Sequence, residues 1–136
     1  MKQPLWIDER DALALHERLL VLHGGASGVR DEGLLKSALA RPRQYLSYSD
    51  ATDIAKLAAL YTAGIIRNHP FVDGNKRTGF VVGILFLELN GYRFTAIEED
   101  AANIVLALAG GDIEENEYAQ FLRAHARQRR ERASPD

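Results

Sequence analysis

One stretch of this sequence, His69-Pro70-Phe71-Val72-Asp73-Gly74-Asn75-Lys76-Arg77-Thr78-Gly79, gathers the side chains that could do chemistry. His69 is the residue type whose ordinary titration lies near neutrality, so it can take a proton from a hydroxyl nucleophile. Asp73 offers the hard oxygen ligand that Mg²⁺ prefers when it also holds phosphates. Gly74 lets the backbone turn and come close to a ligand. Asn75 opens a helix whose free N–H groups and positive dipole end bind anions. Lys76 and Arg77 add one compact and one forked cation, both suited to phosphate. A base, a metal ligand, a glycine turn and a cationic helix start together describe a site for phosphate transfer. Phe71, between His69 and Asp73, points the other way by alternation and is expected to anchor the loop in the core.

The flanking segments must hold that loop. Upstream, Ile54, Leu57, Ala58, Tyr61 and Ile65 follow three- and four-residue steps, one face of a helix running to Asn68 and capped by Ser49 or Asp50. Downstream, 80–87 is apolar almost without interruption, so a buried helix is expected from Asn75 to the Asn90-Gly91 stop. Before these, 8–23 reads as a helix ended by Gly24-Gly25, with His16 and His23 as ordinary helix-surface or helix-end residues. A glycine-rich loop to Gly33 leads into a short helix bearing Leu34, Leu35, Ala38 and Leu39, which Pro42 is expected to stop, leaving Arg41 to Tyr48 as a polar link. After the core, 92–94 reads as extended, 98–109 as a helix ended by Gly110-Gly111, and a last helix begins near Ile113 and docks through Tyr118, Phe121 and Leu122. The expected fold is all-α, with the loop between two buried central helices and at most one short β-hairpin.

With 136 residues the chain is expected to form a single domain, 1–136, with a core over about 8–125. Residues 126–136 are expected to be a basic, partly disordered tail; Arg123 to Arg132 reads as a solvated, partly frayed end of the last helix, with a patch for an acidic partner as the alternative. A net charge of −2 gives no field to gather nucleic acid, so no direct nucleic-acid partner is expected. There is no cysteine and no apolar run near the ~20 residues that span a bilayer, so disulfides, thiolate metal sites and a membrane association are not expected, and the cytoplasm is the expected compartment.

The stretch 69–79 closely resembles the signature of Fic/Doc proteins, HxFx(D/E)(G/A)N(G/K)R, with every defining position filled. The segments GGASGVRDEGLLKSALARP and FLELNGYRF also look like the Doc (death-on-curing) branch, and the resemblance covers roughly Leu13 to Leu122. It implies a compact helical fold, ATP and Mg²⁺ as cofactors, His69 as catalytic base, Asp73 as metal ligand, and Gly74, Asn75, Lys76 and Arg77 around the phosphates. Arg67, at a place where the Doc branch carries an arginine, is expected to face the nucleotide, and Val29, Arg30 and Asp31 could touch a partner.

Adenylylating relatives have glycine where Lys76 stands and usually a second arginine where Phe80 stands. Both departures are shared with the Doc branch, which the resemblance associates with transfer of the ATP terminal phosphate to a threonine of elongation factor Tu. The expectation is therefore a toxin acting as a protein kinase and arresting translation. A protein adenylyltransferase and a catalytically silent phosphate- or peptide-binding module are the alternatives. The inhibitory pattern (S/T)xxxE(G/N) is not matched, since Asp100 follows Thr95 and Glu99. The resemblance thus implies restraint in trans, by a Phd-like antitoxin whose disordered tail folds into a groove.

Overall fold

The computed structural model describes residues 3–49 and 51–129. Helix α1 (Glu9–His23) begins at Asp8, whose carboxylate accepts the Asp11 N–H at 2.9 Å while the Asp11 carboxylate accepts the Asp8 N–H at 3.1 Å, and it ends at Gly24 with φ 80°. It is followed by α2 (Glu32–Tyr48), α3 (Ile54–Asn68), α4 (Asn75–Leu89), β1 (Tyr92–Phe94), α5 (Glu98–Gly110), α6 (Glu115–Ala124) and β2 (Ala126–Gln128). The architecture is helical, as the periodicities imply.

The centre is α3, with ten of its 15 residues buried, packed against α2, α4 and α6. Small residues allow the backbones to close up. A Cβ at Gly83 would stand 2.3 Å from Thr62 Oγ1 and 3.0 Å from Ala58 O, and one at Gly79 would stand 3.1 Å from Thr62 O. The Thr62 hydroxyl uses that proximity to donate to Gly79 O at 2.7 Å across the α3/α4 seam. Tyr61, also buried, reaches the opposite side, where its hydroxyl accepts the Ile7 N–H at 3.0 Å and ties the N-terminal segment to the core. Burial pushes the Tyr61 phenol up to about 12, so it stays a neutral structural group.

Four local expectations are corrected. Pro42 does not stop α2, although it removes a backbone donor. The second half of the helix is anchored by side chains: Arg41 pairs with Glu115, the Arg43 guanidinium lies 5.0 Å over Trp6, and the Tyr45 ring lies under Lys56 at 5.4 Å. The cap of α3 is Asp53, whose carboxylate accepts the Lys56 N–H at 3.3 Å; Ser49 ends α2 instead, and Asp50 lies outside the described residues. His16 is not a surface residue but 3% exposed. The basic tail does not prolong the last helix, because 126–128 turn back and pair antiparallel with β1, Tyr92 opposite Gln128 and Phe94 opposite Ala126. The two strands make the short sheet without forming a hairpin, since α5 and α6 lie between them. Residues 130–136 lie outside the described part.

The α3/α4 seam yields a test. Gly83→Ala gains about 1 kcal/mol of helix propensity but overpacks a contact of 2.3 Å, at a cost of about 3 kcal/mol. A net destabilisation of about 2 kcal/mol is expected in urea denaturation, whereas wild-type stability would show that α3 and α4 are not in close contact there.

Candidate active site

The turn between α3 and α4 is built around His69. It terminates α3 in the left-handed region, φ 51° and ψ 52°, and is the one non-glycine residue with positive φ among the described residues. That conformation costs an L-residue about 1–2 kcal/mol, so surrounding bonds must hold it. The His69 N–H donates to Ile65 O at 3.0 Å, and the His69 carbonyl accepts from Arg30 Nε at 2.7 Å.

Inside the turn, Asn75 is buried and acts as a brace. Its Oδ1 accepts the Phe71 N–H at 2.9 Å and its Nδ2 donates to Phe71 O at 3.0 Å, which fixes the orientation of the amide. The same Nδ2 lies 3.1 Å from His69 Nδ1. A donor at that place makes Nδ1 the accepting nitrogen, so the neutral ring carries its proton on Nε2. Phe71 is fully buried and stacks on the His16 imidazole with ring centres 3.8 Å apart and planes 9° apart. His16 Nε2 in turn lies 2.8 Å from Asp73 O, so a buried side chain of α1 fixes the peptide at the far end of the turn.

Asp73 Oδ1 accepts the Gly74 N–H at 2.8 Å and Oδ2 accepts the Ala26 N–H at 3.2 Å. These two backbone bonds, the one from Ala26 foremost, hold the carboxyl below the usual carboxylate range, helped by the charge of Arg77 and by His16. Each oxygen keeps acceptor capacity. Gly25 is needed for that contact, since its φ is 122° and a Cβ there would stand 2.9 Å from Asp73 Oδ2. Gly74, with φ 78° and ψ 21°, leads into α4 without a side chain that could cap the helix, leaving the first-turn amides free.

His69, Asp73, Gly74, Asn75, Lys76 and Arg77 line one cavity of about 400 Å³, bounded on its apolar side by Ile66 and Ala109. Neither Lys76 nor Arg77 has an ion-pair or side-chain hydrogen-bond partner among the described residues. Two unpaired cations at an uncapped helix start have the charge and the donors to hold an anion. No group of three or more His, Asp, Glu or Cys that could cage a metal exists among the described residues. A single ionised carboxylate beside an anion site fits Mg²⁺, which takes one or two carboxylates and completes its shell with phosphate oxygens and water.

Arg67 lies outside this cavity. Its guanidinium donates to Glu115 Oε1 at 2.7 Å, and Glu115 is also held by Arg41. Partial burial pushes the Glu115 carboxyl up, but the bond and charge of Arg41, with Arg67, outweigh it and hold the group below its ordinary value. Arg67 therefore ties α3 to α6 here rather than facing the anion site. Three contributors escape a reading of the motif alone: His16, Ala26 through its N–H, and Arg30 as a backbone clamp. The four-residue step from buried Ala12 to His16 is the one signal that could have marked His16 as inward-facing.

Two tests follow from this geometry. Imidazole ¹⁵N spectra of the neutral protein should show His69 with its proton on Nε2; an Nδ1–H signal would show that the Asn75 bond is not made. Because the folded Asp73 pKa is lowered, the stability it contributes is fully present above its unfolded value near 4 and is lost as pH falls through the folded one. Asp73→Asn should therefore be less stable than wild type at pH 7 and converge with it in acid, and curves that stay parallel to low pH would contradict the backbone bonds.

Comparison with known proteins agrees with the geometry. Residues 6–87 match the family model described as Fic/DOC family. The chain is 31% identical over 117 residues to "Protein kinase doc" of Escherichia phage P1, covering 86% of this chain and 92% of that one. It is 37% identical over 92 residues to "Toxin Doc" of Mycolicibacterium smegmatis, covering 67% of this chain and 68% of the relative. With the His69–Gly79 turn set between the two central helices and the family match running from Trp6 through most of α4, this chain belongs to the Fic/DOC family.

Proposed function

We propose that this protein is a Doc-like toxin that transfers the terminal phosphoryl group of ATP to a hydroxyl of a translation factor, elongation factor Tu being the expected target, in the cytoplasm. The observation that carries this reading is the pair of unpaired cations, Lys76 and Arg77, at the uncapped start of α4 in the same cavity as His69 and Asp73. The place of the second arginine of adenylylating relatives is held by Phe80, which packs edge-on against Phe94 at 5.9 Å and cannot clamp phosphate. The names of the two relatives, a protein kinase and a toxin, support the same direction.

In the transfer, the target hydroxyl oxygen bonds to the terminal phosphorus as the bond from that phosphorus to the bridging oxygen breaks, and ADP departs. The hydroxyl proton goes to His69; with Nε2 protonated the basic lone pair is on Nδ1, which exchanges its hydrogen bond from Asn75 for the incoming proton. Lys76, Arg77 and the free amides of α4 hold the phosphates and balance the charge that accumulates on them. Asp73 would hold Mg²⁺, which draws charge from the phosphate oxygens when bound. Positioning and electrostatics supply the catalysis, as expected for phosphoryl transfer.

The partner in trans is read as a Phd-like antitoxin. Beside the cavity, and sharing Lys76 and Arg77 with it, an apolar groove of about 630 Å³ runs between α1 and α5, lined by Leu19, Phe80, Phe94, Val105 and Leu106. An amphipathic segment folding into that groove would bury exposed Leu106 and cover the phosphate site.

Intact mass of elongation factor Tu after incubation with the protein and Mg²⁺-ATP tests the reading. A phosphoryl increment lost in His69→Ala is expected. An adenylyl increment would transfer the protein to the adenylyltransferase class, and the absence of any His69-dependent mass shift in a whole lysate would leave a silent binding module.

A further inference from the structure

The glycine-rich segment before α2 lies along the active turn and bonds to it residue by residue. Ala26 N–H meets Asp73, Gly28 O accepts the Val72 N–H at 3.0 Å, and the amides of Arg30 and Asp31 both donate to Pro70 O, at 2.7 and 3.0 Å. Arg30 adds a side-chain contact of another kind. Its Nε donates to the His69 carbonyl at 2.7 Å and its Nη2 donates to the Asn68 carbonyl at 2.9 Å. It has no carboxylate partner among the described residues, and the neighbouring Asp31 carboxylate is engaged in capping α2.

A guanidinium spanning two successive carbonyls at the end of α3 satisfies acceptors that the helix leaves open and sits at the negative end of the helix dipole. The second of those carbonyls belongs to the residue in the left-handed conformation. Arginine is the side chain that can do this, because its planar fork presents two parallel donors, whereas lysine offers a single point. Arg30 does not line the cavity. His69 is thus fixed from both sides: Asn75 holds the ring from within, and Arg30 holds the main chain from without.

We infer that Arg30 is a positioning residue for His69, holding its backbone in the left-handed conformation from which the imidazole faces the anion site. The inference rests on the catalytic reading above for its kinetic consequence, but its structural content can be read without activity. In Arg30→Gln the two carbonyls lose the charged fork and keep at most one neutral amide nitrogen.

The experiment pairs NMR with kinetics on wild type, Arg30→Gln and Arg30→Lys. The three-bond coupling between the His69 amide and Hα protons, together with its Cα shift, reports φ. In Arg30→Gln both are expected to leave their wild-type values while the rest of the spectrum stays folded. His69-dependent turnover is expected to fall ~10–100-fold in kcat with the KM for ATP within about twofold, as for a displaced catalytic group. Arg30→Lys should recover part of the loss.

A folded Arg30→Gln with wild-type His69 coupling and kcat overturns the inference. So does a rise in KM with the His69 backbone unmoved, which would make Arg30 a nucleotide contact. Should Arg30→Gln fail to fold, Arg30→Lys carries the same comparison. If wild type shows no turnover, the proposed reaction fails, while the coupling still decides whether Arg30 holds the His69 backbone.

Discussion

The buried amide of Asn75 spans the turn from Phe71 to the start of α4, and the arrangement around it depends on that span. A primary amide has two donors and two acceptor lone pairs, and in this place it meets an N–H and a C=O of the same residue, Phe71, so one orientation alone satisfies it. Because the orientation is set by the backbone, the donor left over is aimed at His69 Nδ1, and the tautomer of the ring is set at the same time. Removing the amide would leave the buried N–H and C=O of Phe71 without partners, a penalty of about 1–3 kcal/mol each. One interaction thus couples the folding of the loop to the protonation pattern of its histidine.

Around that brace, α4 meets two segments distant in sequence. α1 contributes His16, whose ring stacks on Phe71 and bonds to Asp73 O; the glycine-rich segment contributes Ala26 and Arg30; α4 contributes the uncapped amides and the two cations. The contributions of α1 and of the glycine-rich segment bond to main chain or to a fixed carboxylate rather than to a mobile side chain. The result is a loop whose polar groups are immobilised although most of its surface is open, which is the condition under which preorganised charge is effective. The cost is a strained His69 backbone, and it is borne by the bond from Arg30 and the bond to Ile65 O rather than by a glycine.

Charge is divided between pairing and vacancy in a way that separates structure from chemistry. Arg41 and Arg67 converge on Glu115, and Arg123 pairs with Asp53 at the cap of α3, so these arginines bind helices together. Lys76 and Arg77 have no such partners and stand at a helix start, where a cation weakens the helix unless an anion arrives. That local conflict between helix stability and charge placement sets the start of α4 apart from the paired arginines elsewhere in the chain.

The sequence by itself determined the helical class, the two central helices and the turn between them, because three- and four-residue periodicity and the Asn90-Gly91 stop are local signals that tertiary packing had no reason to oppose. It also carried the polar residues lining the cavity, since His69 to Arg77 are contiguous and a turn between two helices must present them at one end. Tertiary structure decided the rest. Pro42 lies inside α2 because side-chain anchors on Arg41 and Arg43 outweigh a lost backbone bond, and no local rule weighs them. Arg67 pairs with Glu115, 48 residues away, and the last strand returns to β1 across two helices, so neither could be read from neighbours. His16 and Arg30 reach the turn from 57 and 39 residues upstream, through a hydrogen bond to a main-chain carbonyl. Such bonds leave no pattern in a single sequence, because every residue offers a carbonyl and only the fold decides which donor meets it.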